Sequence, residues 1–164
     1  MFLNLDTGFS QIPENLKVKI YHDNDELEYE GCYINGCREG KGKLYYEDSA
    51  LRYEGMLKND LPNGKGTIYH KNGFKRLEGN FKDGQIDGKD IKIWHEVGGI
   101  KYEGSMKNGM CDGLGRWTYE NGNMRFEGLF KSDNPHGKDV KIYTGEGYLE
   151  YHGSMKSGLR DGEG

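Results

Sequence analysis

The sequence repeats one short pattern six times, and this repetition limits the possible fold more than any other feature. Each copy is a triplet that ends in glycine, and successive triplets lie 24, 24, 25, 24 and 25 residues apart. The triplets are Tyr29–Gly31, Tyr53–Gly55, Leu77–Gly79, Tyr102–Gly104, Phe126–Gly128 and Tyr151–Gly153. A second glycine follows each triplet glycine after nine residues, at Gly40, Gly64, Gly88, Gly113, Gly137 and Gly162. A fixed period of this length indicates a repeat architecture, in which each copy forms one small unit that packs on its neighbours.

Two of the copies are one residue longer than the others. In most copies a third glycine completes a Gly-x-Gly motif, but Asp90 and Asp139 take its place in the two 25-residue copies. The columns that follow come back into alignment, at Leu44, Ile68, Ile93, Trp117 and Ile142. One extra residue that leaves both sides in register is typical of a β-bulge. The spacing therefore predicts bulges near Asp90 and Asp139.

Each copy has the residue pattern of a β-hairpin. In residues 51–58 mainly apolar and mainly polar residues alternate. One set of side chains is expected to face the core, and the opposite set is Arg52, Glu54, Met56 and Lys58. This period of two is the signature of a strand. The segment Thr67–His70 also favours a strand, and we expect the loop Asn59–Asn63 to join the two. Asn72-Gly73 predicts a tight turn to the next copy. With 27 glycines and a single alanine, the chain is a poor helix former.

These hairpins define the expected fold class. Consecutive hairpins should pair into an all-β, elongated, single-layer antiparallel meander. Val18–Tyr21 matches Val140–Tyr143, so a degenerate half repeat is expected before the first complete copy. We predict that residues 1–28 form this half repeat and that 29–164 form the array. The repeats start near residues 29, 53, 77, 102, 126 and 151, and the last is expected to be incomplete at Gly164.

The Tyr-Glu-Gly triplets, the glycine nine residues later and the Gly-x-Gly motif that usually starts there resemble the MORN repeat (membrane occupation and recognition nexus). Leu77 and Phe126 depart from the family's tyrosine, His152 departs from its glutamate, and Asp90 and Asp139 depart from its glycine. The resemblance implies a ribbon of β-hairpins that serves in scaffolding, in dimerisation, or in targeting to membranes and cytoskeletal structures. It also implies a cytoplasmic, cytoskeleton-associated protein, with a cilium as one such location.

Composition and charge exclude some classes of function. The net charge is −4, which argues against a protein that coats nucleic acid and weakens the case for one that coats anionic lipid, because both need a basic surface. Mean hydropathy is −0.94, so we expect neither a membrane span nor a secretory signal. Cys32, Cys37 and Cys111 are few and odd in number, which favours reduced thiols in an intracellular protein.

No set of residues predicts catalysis. His70 and His95 occupy equivalent positions two strands apart, which is too far for a shared metal ion. Gly40-Lys41-Gly42 leads into a strand and lacks the lysine followed by serine or threonine of a phosphate-binding loop. The glutamate row that starts at Glu30 is repeated in the first five copies, so no carboxylate pair stands out. We therefore expect a non-enzymatic protein with no catalytic residue, no metal site and no cofactor.

The apolar face is the candidate binding surface. A single sheet has no second layer to cover this face, so part of it should stay accessible to a partner. The alternative is that these side chains only pack on one another. Residues predicted to contact a partner are Tyr33, Phe81, Ile93, Phe130, Trp117 and Ile142. The two end strands are a second route, because open strands accept further strands.

Three functions remain open at this point. The first is a structural scaffold that binds other proteins in a larger assembly or binds a second copy of itself, through the apolar face or the end strands. The second is a module that targets phospholipid membranes, which the net charge of −4 disfavours. The third is a targeting region of a larger enzyme.

Overall fold

The computed structural model describes residues 17–162, which form fourteen β-strands and no helix. The strands are β1 (Lys17–Tyr21), β2 (Leu27–Ile34), β3 (Cys37–Tyr45), β4 (Leu51–Lys58), β5 (Leu61–Tyr69), β6 (Lys75–Lys82), β7 (Gln85–Ile86), β8 (Gly88–Trp94), β9 (Ile100–Lys107), β10 (Met110–Thr118), β11 (Met124–Lys131), β12 (Asn134–Tyr143), β13 (Leu149–Lys156) and β14 (Leu159–Arg160). All pairs are antiparallel and join neighbours in the chain, with β6 pairing both β7 and β8. The predicted fold class, a single-layer meander of hairpins, is confirmed.

The predicted half repeat lies partly outside the described residues. Its described part, β1, pairs with β2 and places Val18 opposite Gly31. Val140 takes the same position opposite Gly153 in the last repeat, as the sequence match between the two segments predicted. The division at residue 28 and the incomplete end at Gly164, which also lies outside the described residues, stay predictions.

The two kinds of hairpin connection are the reverse of what the sequence predicted. The expected five-residue loop Asn59–Asn63 is a two-residue turn, with φ of 48° at Asn59 and 66° at Asp60, and β5 begins at once with Leu61. The expected tight turn at Asn72-Gly73 lies inside a five-residue connection between β5 and β6. A two-residue turn of the favoured type needs positive φ at both positions. Of Asn72 and Gly73 only Gly73 has it. The two residues instead complete a β-turn that starts at His70, in which Gly73 N–H donates to the His70 carbonyl at 3.0 Å, and His70 N–H donates to the Phe74 carbonyl at 2.9 Å.

The predicted bulges lie where the two longer repeats carry their extra residue. Between β8 and β9, Gly88 is opposite Met106, but Ile91 is opposite Gly104, so β8 has one residue more than its partner over this interval. The same shift separates Gly137 from Val140 in β12. In a 24-residue repeat the corresponding pairing, from Gly40 to Gly42 of β3 against β4, is unbroken. The prediction of bulges near Asp90 and Asp139 is confirmed.

Candidate interaction trough

The hairpins bend across their width, and this bend creates the candidate site. Arg38 lies opposite Tyr33, five residues beyond Glu28, which is about 17 Å along an extended strand. The Arg38 guanidinium nevertheless contacts the carboxylate of Glu28 and lies 5.2 Å from the ring centroid of Tyr29. A shift of register after Gly31 accompanies the bend, as bulges do. The apolar face is therefore folded inward along the ribbon.

We call this inward face the trough. It holds the buried side chains of the described residues, all of them apolar, and buries no charged group. They are Tyr29, Leu44, Tyr53, Leu57, Phe81, Ile86, Ile91, Tyr102, Met106, Cys111, Phe126, Phe130, Val140, Tyr151 and Met155. Neighbouring repeats are tied together by aromatic contacts, such as Tyr53 with Phe81 at 5.6 Å and Tyr102 with Phe130 at 6.1 Å between ring centroids.

In the 24-residue repeats the triplet tyrosine lies over bare glycine backbone. A Cβ atom added at Gly66 would stand 2.6 Å from Cε2 of Tyr53, so only glycine leaves room for the ring. The Tyr53 hydroxyl donates a hydrogen bond to the Met56 carbonyl at 2.8 Å, and Tyr29, Tyr102 and Tyr151 make the equivalent bond. Burial raises the pKa of Tyr29 and Tyr53 to about 12. The tyrosine thus fills the core of each such repeat.

The 25-residue repeats fill the same space differently. Their triplets begin with Leu77 and Phe126, which lack the hydroxyl. The residue after the extra aspartate compensates, because Ile91 occupies the space above Gly79 and Val140 packs on Gly128. Both residues are completely buried.

The six residues predicted to bind a partner fall into two groups, one buried and one half-buried. Phe81 and Phe130 are only 3% and 6% exposed, so they serve chiefly as core. Tyr33, Ile93, Trp117 and Ile142 are half-buried at the edge of that core. The partner-binding role of all six stays a prediction.

One open cavity on the trough brings two of the six together. It has a volume of about 400 Å³ and is lined by Trp117, Arg125, Phe126, Phe130, Asp133 and Pro135. Tyr33, Phe81, Ile93 and Ile142 do not line it. Sequence reasoning missed Arg125, Phe126, Asp133 and Pro135. The usable signals were the phenylalanine in place of tyrosine at Phe126 and the proline that follows the two-residue turn at Ser132-Asp133.

The opposite face of the sheet, the outer face, carries alternating charges. The predicted glutamate row is interleaved across the strands with cations, so that Lys43 lies opposite both Glu30 and Glu54. Ion-pair distances are 3.9 Å for Lys43–Glu54, 3.6 Å for Lys92–Glu103 and 3.8 Å for Lys141–Glu127. These partly exposed pairs are weak individually, and their charges largely cancel along the row.

A second charged row lies on the trough side, at a repeated bulge. Where each strand enters the triplet, one residue has no partner across the ladder; in β4, Tyr53 is opposite Leu44 and Leu51 is opposite Tyr45, which leaves Arg52 out. The residues in this position are Glu28, Arg52, Arg76, Lys101, Arg125 and Glu150. Lys101 Nζ lies 5.8 Å from the ring centroid of Trp117, and Arg125 lines the cavity. Strict alternation assigns Arg52 to the outer face; the bulge places its equivalents on the trough side instead.

The cysteines form no disulfide among residues 17–162, and their surroundings and those of the histidines can be described one by one. All three cysteines are free, and burial raises the pKa of the Cys111 thiol to about 11, which disfavours the reactive thiolate. His95 Nε2 lies 3.2 Å from the Thr118 carbonyl in the next hairpin. Among residues 17–162, no three histidine, cysteine or acidic side chains lie close enough to hold a metal ion. Nor does this part of the chain contain a helix with the length and hydropathy needed to cross a membrane.

Comparison with known proteins identifies the repeat. A family model described as the MORN repeat matches residues 29–50, 53–74, 78–89, 102–124 and 151–164, and one described as a MORN repeat variant matches 14–35. The match stops at 89 in the third repeat and leaves out 125–150, so it weakens at the two 25-residue repeats. The sequence matches no curated protein. The matched segments cover more than half of the chain, the resemblance drawn from the triplets is confirmed, and the chain belongs to the MORN repeat family.

Proposed function

We propose that this protein is a non-enzymatic interaction scaffold that binds other proteins in its trough. The observation that carries the proposal is the open cavity of about 400 Å³ at Trp117, Phe126 and Phe130. Apolar and aromatic surface that remains open, with a few charged groups at its edge, is the usual form of a binding site. Arg125 and Asp133 provide that charged edge.

The family membership supports the same class of function. MORN repeats are generally protein or lipid interaction modules. Each repeat contacts mainly its neighbours, as in other repeat arrays, and such arrays present long continuous binding surfaces. Trp117 is half-buried and therefore available in part to a partner, and tryptophan is among the residues most enriched at binding hot spots.

We also propose that the protein is located at a cytoskeletal structure, for example a cilium. This part of the proposal rests on the family resemblance alone. A tagged full-length protein expressed in its native cells should localise to such a structure. A diffuse signal that is lost when detergent extraction removes soluble protein would contradict this assignment and would leave the binding proposal unaffected.

The binding proposal is tested with two matched substitutions on β10. Trp117→Ser removes an aromatic side chain from the trough, and Leu114→Ser removes an apolar side chain that is 69% exposed and lines the outer face. Phe130 is left intact because its substitution would disturb the core. Tagged wild-type and variant proteins are used to capture partners from native extract, and the captured proteins are identified by mass spectrometry.

We expect a defined set of proteins that Trp117→Ser loses and Leu114→Ser retains, while both variants keep the β-sheet circular dichroism spectrum. Identical sets for the wild type and Trp117→Ser would refute binding at the cavity. Binding to an anionic membrane is the alternative function, and co-sedimentation of the protein with vesicles of phosphatidylserine and phosphatidylcholine tests it.

A further inference from the structure

The unpaired bulge residues distinguish the inner repeats from the outer ones. Four consecutive repeats place a basic residue there, and we call these four the basic row: Arg52, Arg76, Lys101 and Arg125. The first and last repeats have Glu28 and Glu150 instead. In a chain whose net charge is −4, a continuous basic row is a local reversal of sign.

The ends of the trough neutralise their own bulge residues, but the middle does not. Glu28 pairs with Arg38, and Glu150 pairs with Arg160 at 3.2 Å. The positions equivalent to Arg38 and Arg160 in the inner repeats are apolar, namely Pro62, Ile86, Cys111 and Pro135. The four members of the basic row are exposed and form no ion pair with any of residues 17–162.

The basic row is also continuous with the cavity. Arg125 lines the cavity beside Phe126 and Phe130. Lys101 lies over the ring of Trp117, which lines the same cavity. A ligand that enters the cavity at Trp117 therefore meets two of the four cations, and continuing along the ribbon brings it to Arg76 and Arg52.

The spacing of the row selects the shape of the ligand. Equivalent residues in successive repeats are two strands apart, which is about 9.6 Å. An extended or polyproline II peptide advances about 9.3–10 Å over three residues. A peptide that runs along the trough, across the strands, therefore brings every third side chain to the same place in each repeat. Four cations span about 29 Å, or about ten peptide residues.

We propose that the basic row binds an extended acidic segment of a partner protein that carries a carboxylate at every third residue. This inference rests on the proposed function and specifies the chemistry of its partner. Charge complementarity along the row fixes the register of the segment, and an apolar residue beside the last carboxylate enters the cavity at Trp117.

The surroundings of the row favour a single narrow chain over a membrane surface. The hairpin connections next to it carry exposed carboxylates, including Glu47, Asp48, Glu96 and Glu120. A flat anionic bilayer that approached the row would also meet these carboxylates and be repelled. A single peptide covers a narrower strip of surface than a bilayer does, so it meets fewer of these carboxylates.

The test measures binding of fluorescently labelled peptides to the full-length protein by anisotropy. The probe peptide is (Pro-Pro-Glu)5, which holds a carboxylate at every third residue in an extended conformation. The control peptide has the same composition with its five glutamates adjacent. Arg76→Glu/Lys101→Glu reverses two charges of the basic row, and Lys92→Glu/Arg116→Glu makes the same change of net charge on the outer face. Circular dichroism checks that both variants are folded.

We expect the probe to bind wild-type protein at least threefold more tightly than the control peptide. Arg76→Glu/Lys101→Glu should weaken binding of the probe by at least tenfold, while Lys92→Glu/Arg116→Glu should change it less than twofold. Raising the salt from 50 to 200 mM should weaken the wild-type interaction severalfold, because exposed charges are screened.

Equal loss in the two double variants, or equal binding of the two peptides, would overturn the inference. It would also be overturned if vesicles of phosphatidylserine and phosphatidylcholine co-sedimented with wild type but not with Arg76→Glu/Lys101→Glu while the probe did not bind. If native partners are lost with Trp117→Ser but retained with Arg76→Glu/Lys101→Glu, the acidic segment is refuted and the scaffold proposal stands. If both variants retain every partner, both proposals fail.

Discussion

The 24-residue and 25-residue repeats fill the same space above the same glycines with different side chains. In the shorter repeats a tyrosine such as Tyr53 lies over Gly66. In the longer ones the tyrosine is replaced by Leu77 or Phe126, and a β-branched residue, Ile91 or Val140, takes the place in the strand pairing that the third glycine has in the shorter repeats. The extra aspartate restores the register. The two repeat types therefore differ at several positions that change together: the tyrosine, the glycine under its ring and the added aspartate. If these positions depend on each other, changing one alone should destabilise the repeat.

The largest expected effect comes from placing the side chain of one repeat type in the other. Gly66→Val puts a β-branched residue under a tyrosine that stays in place, with its Cβ 2.6 Å from the Tyr53 ring. We expect the free energy of unfolding to fall by about 4 kcal/mol, because the packed core cannot absorb the overlap. Urea denaturation followed by circular dichroism measures it. Adding Tyr53→Leu should recover part of the loss, and a strictly additive double variant would show that the two positions are not coupled.

The converse change empties the core of a longer repeat. Ile91→Ala removes a fully buried side chain that packs on Gly79, and Leu77 is too small to replace it. We expect a loss of about 3 kcal/mol, as for other buried isoleucines shortened to alanine. The thermal midpoint should fall accordingly. Val97→Ala, at a residue 77% exposed in a hairpin connection, is the matched control and should leave the midpoint unchanged.

A smaller effect should follow from removing only the tyrosine hydroxyl of a short repeat, which gives it the phenylalanine that a longer repeat has at Phe126. Tyr53→Phe removes the hydrogen bond to the Met56 carbonyl, which should cost about 1 kcal/mol near neutral pH. Because burial raises the Tyr53 pKa to about 12, the folded protein holds this proton more tightly than the unfolded chain does. Stability is therefore complete below about pH 10 and is lost as pH rises from 10 towards 12. Thermal unfolding between pH 8 and pH 11 should show the variant losing less than wild type, and parallel curves would contradict this.

The smallest effect is expected at the extra residue itself. Asp139 lies 2.6 Å from Nε2 of His152 on the surface, and the hydrogen bond from this ring lowers the pKa of Asp139. Asp139→Asn keeps the bulge but removes the charge, and exposed ion pairs contribute little. We expect a thermal midpoint within experimental error of wild type at pH 7. A large decrease would mean that the bulge depends on this charge as well as on its length.

The fold was predictable because period and composition act together. The spacing of the triplets located the hairpins, and the single added residue located both bulges. The turns were reversed because Asn-Gly is a strong turn signal wherever it occurs, while Asn59-Asp60 gives no comparable signal although asparagine and aspartate tolerate the left-handed backbone.

The site was less predictable from the sequence. The alternation of residues along a strand indicates which face a side chain is on, but not how deeply it is buried or how a bulge changes its direction. Alternation assigns Phe130 and Trp117 to one face, but it does not tell that the first is core and the second is half-exposed. Alternation also assigns Arg52 and its equivalents to the outer face, whereas the equivalents Lys101 and Arg125 lie on the trough side, beside Trp117 and in the cavity lining. The burial of each side chain and the position of each bulge, rather than residue type, define the cavity and the basic row.

The pairing of each strand with strands that are next to it, or one short strand away, in the chain has a consequence for how the protein is made. No strand must wait for a partner from a distant part of the chain, so the closing of long loops does not slow assembly. Each new hairpin can add to the edge left by the previous one as the polypeptide leaves the ribosome. The order of synthesis then becomes the order of folding, and an added or deleted repeat changes the length of the product without changing its route.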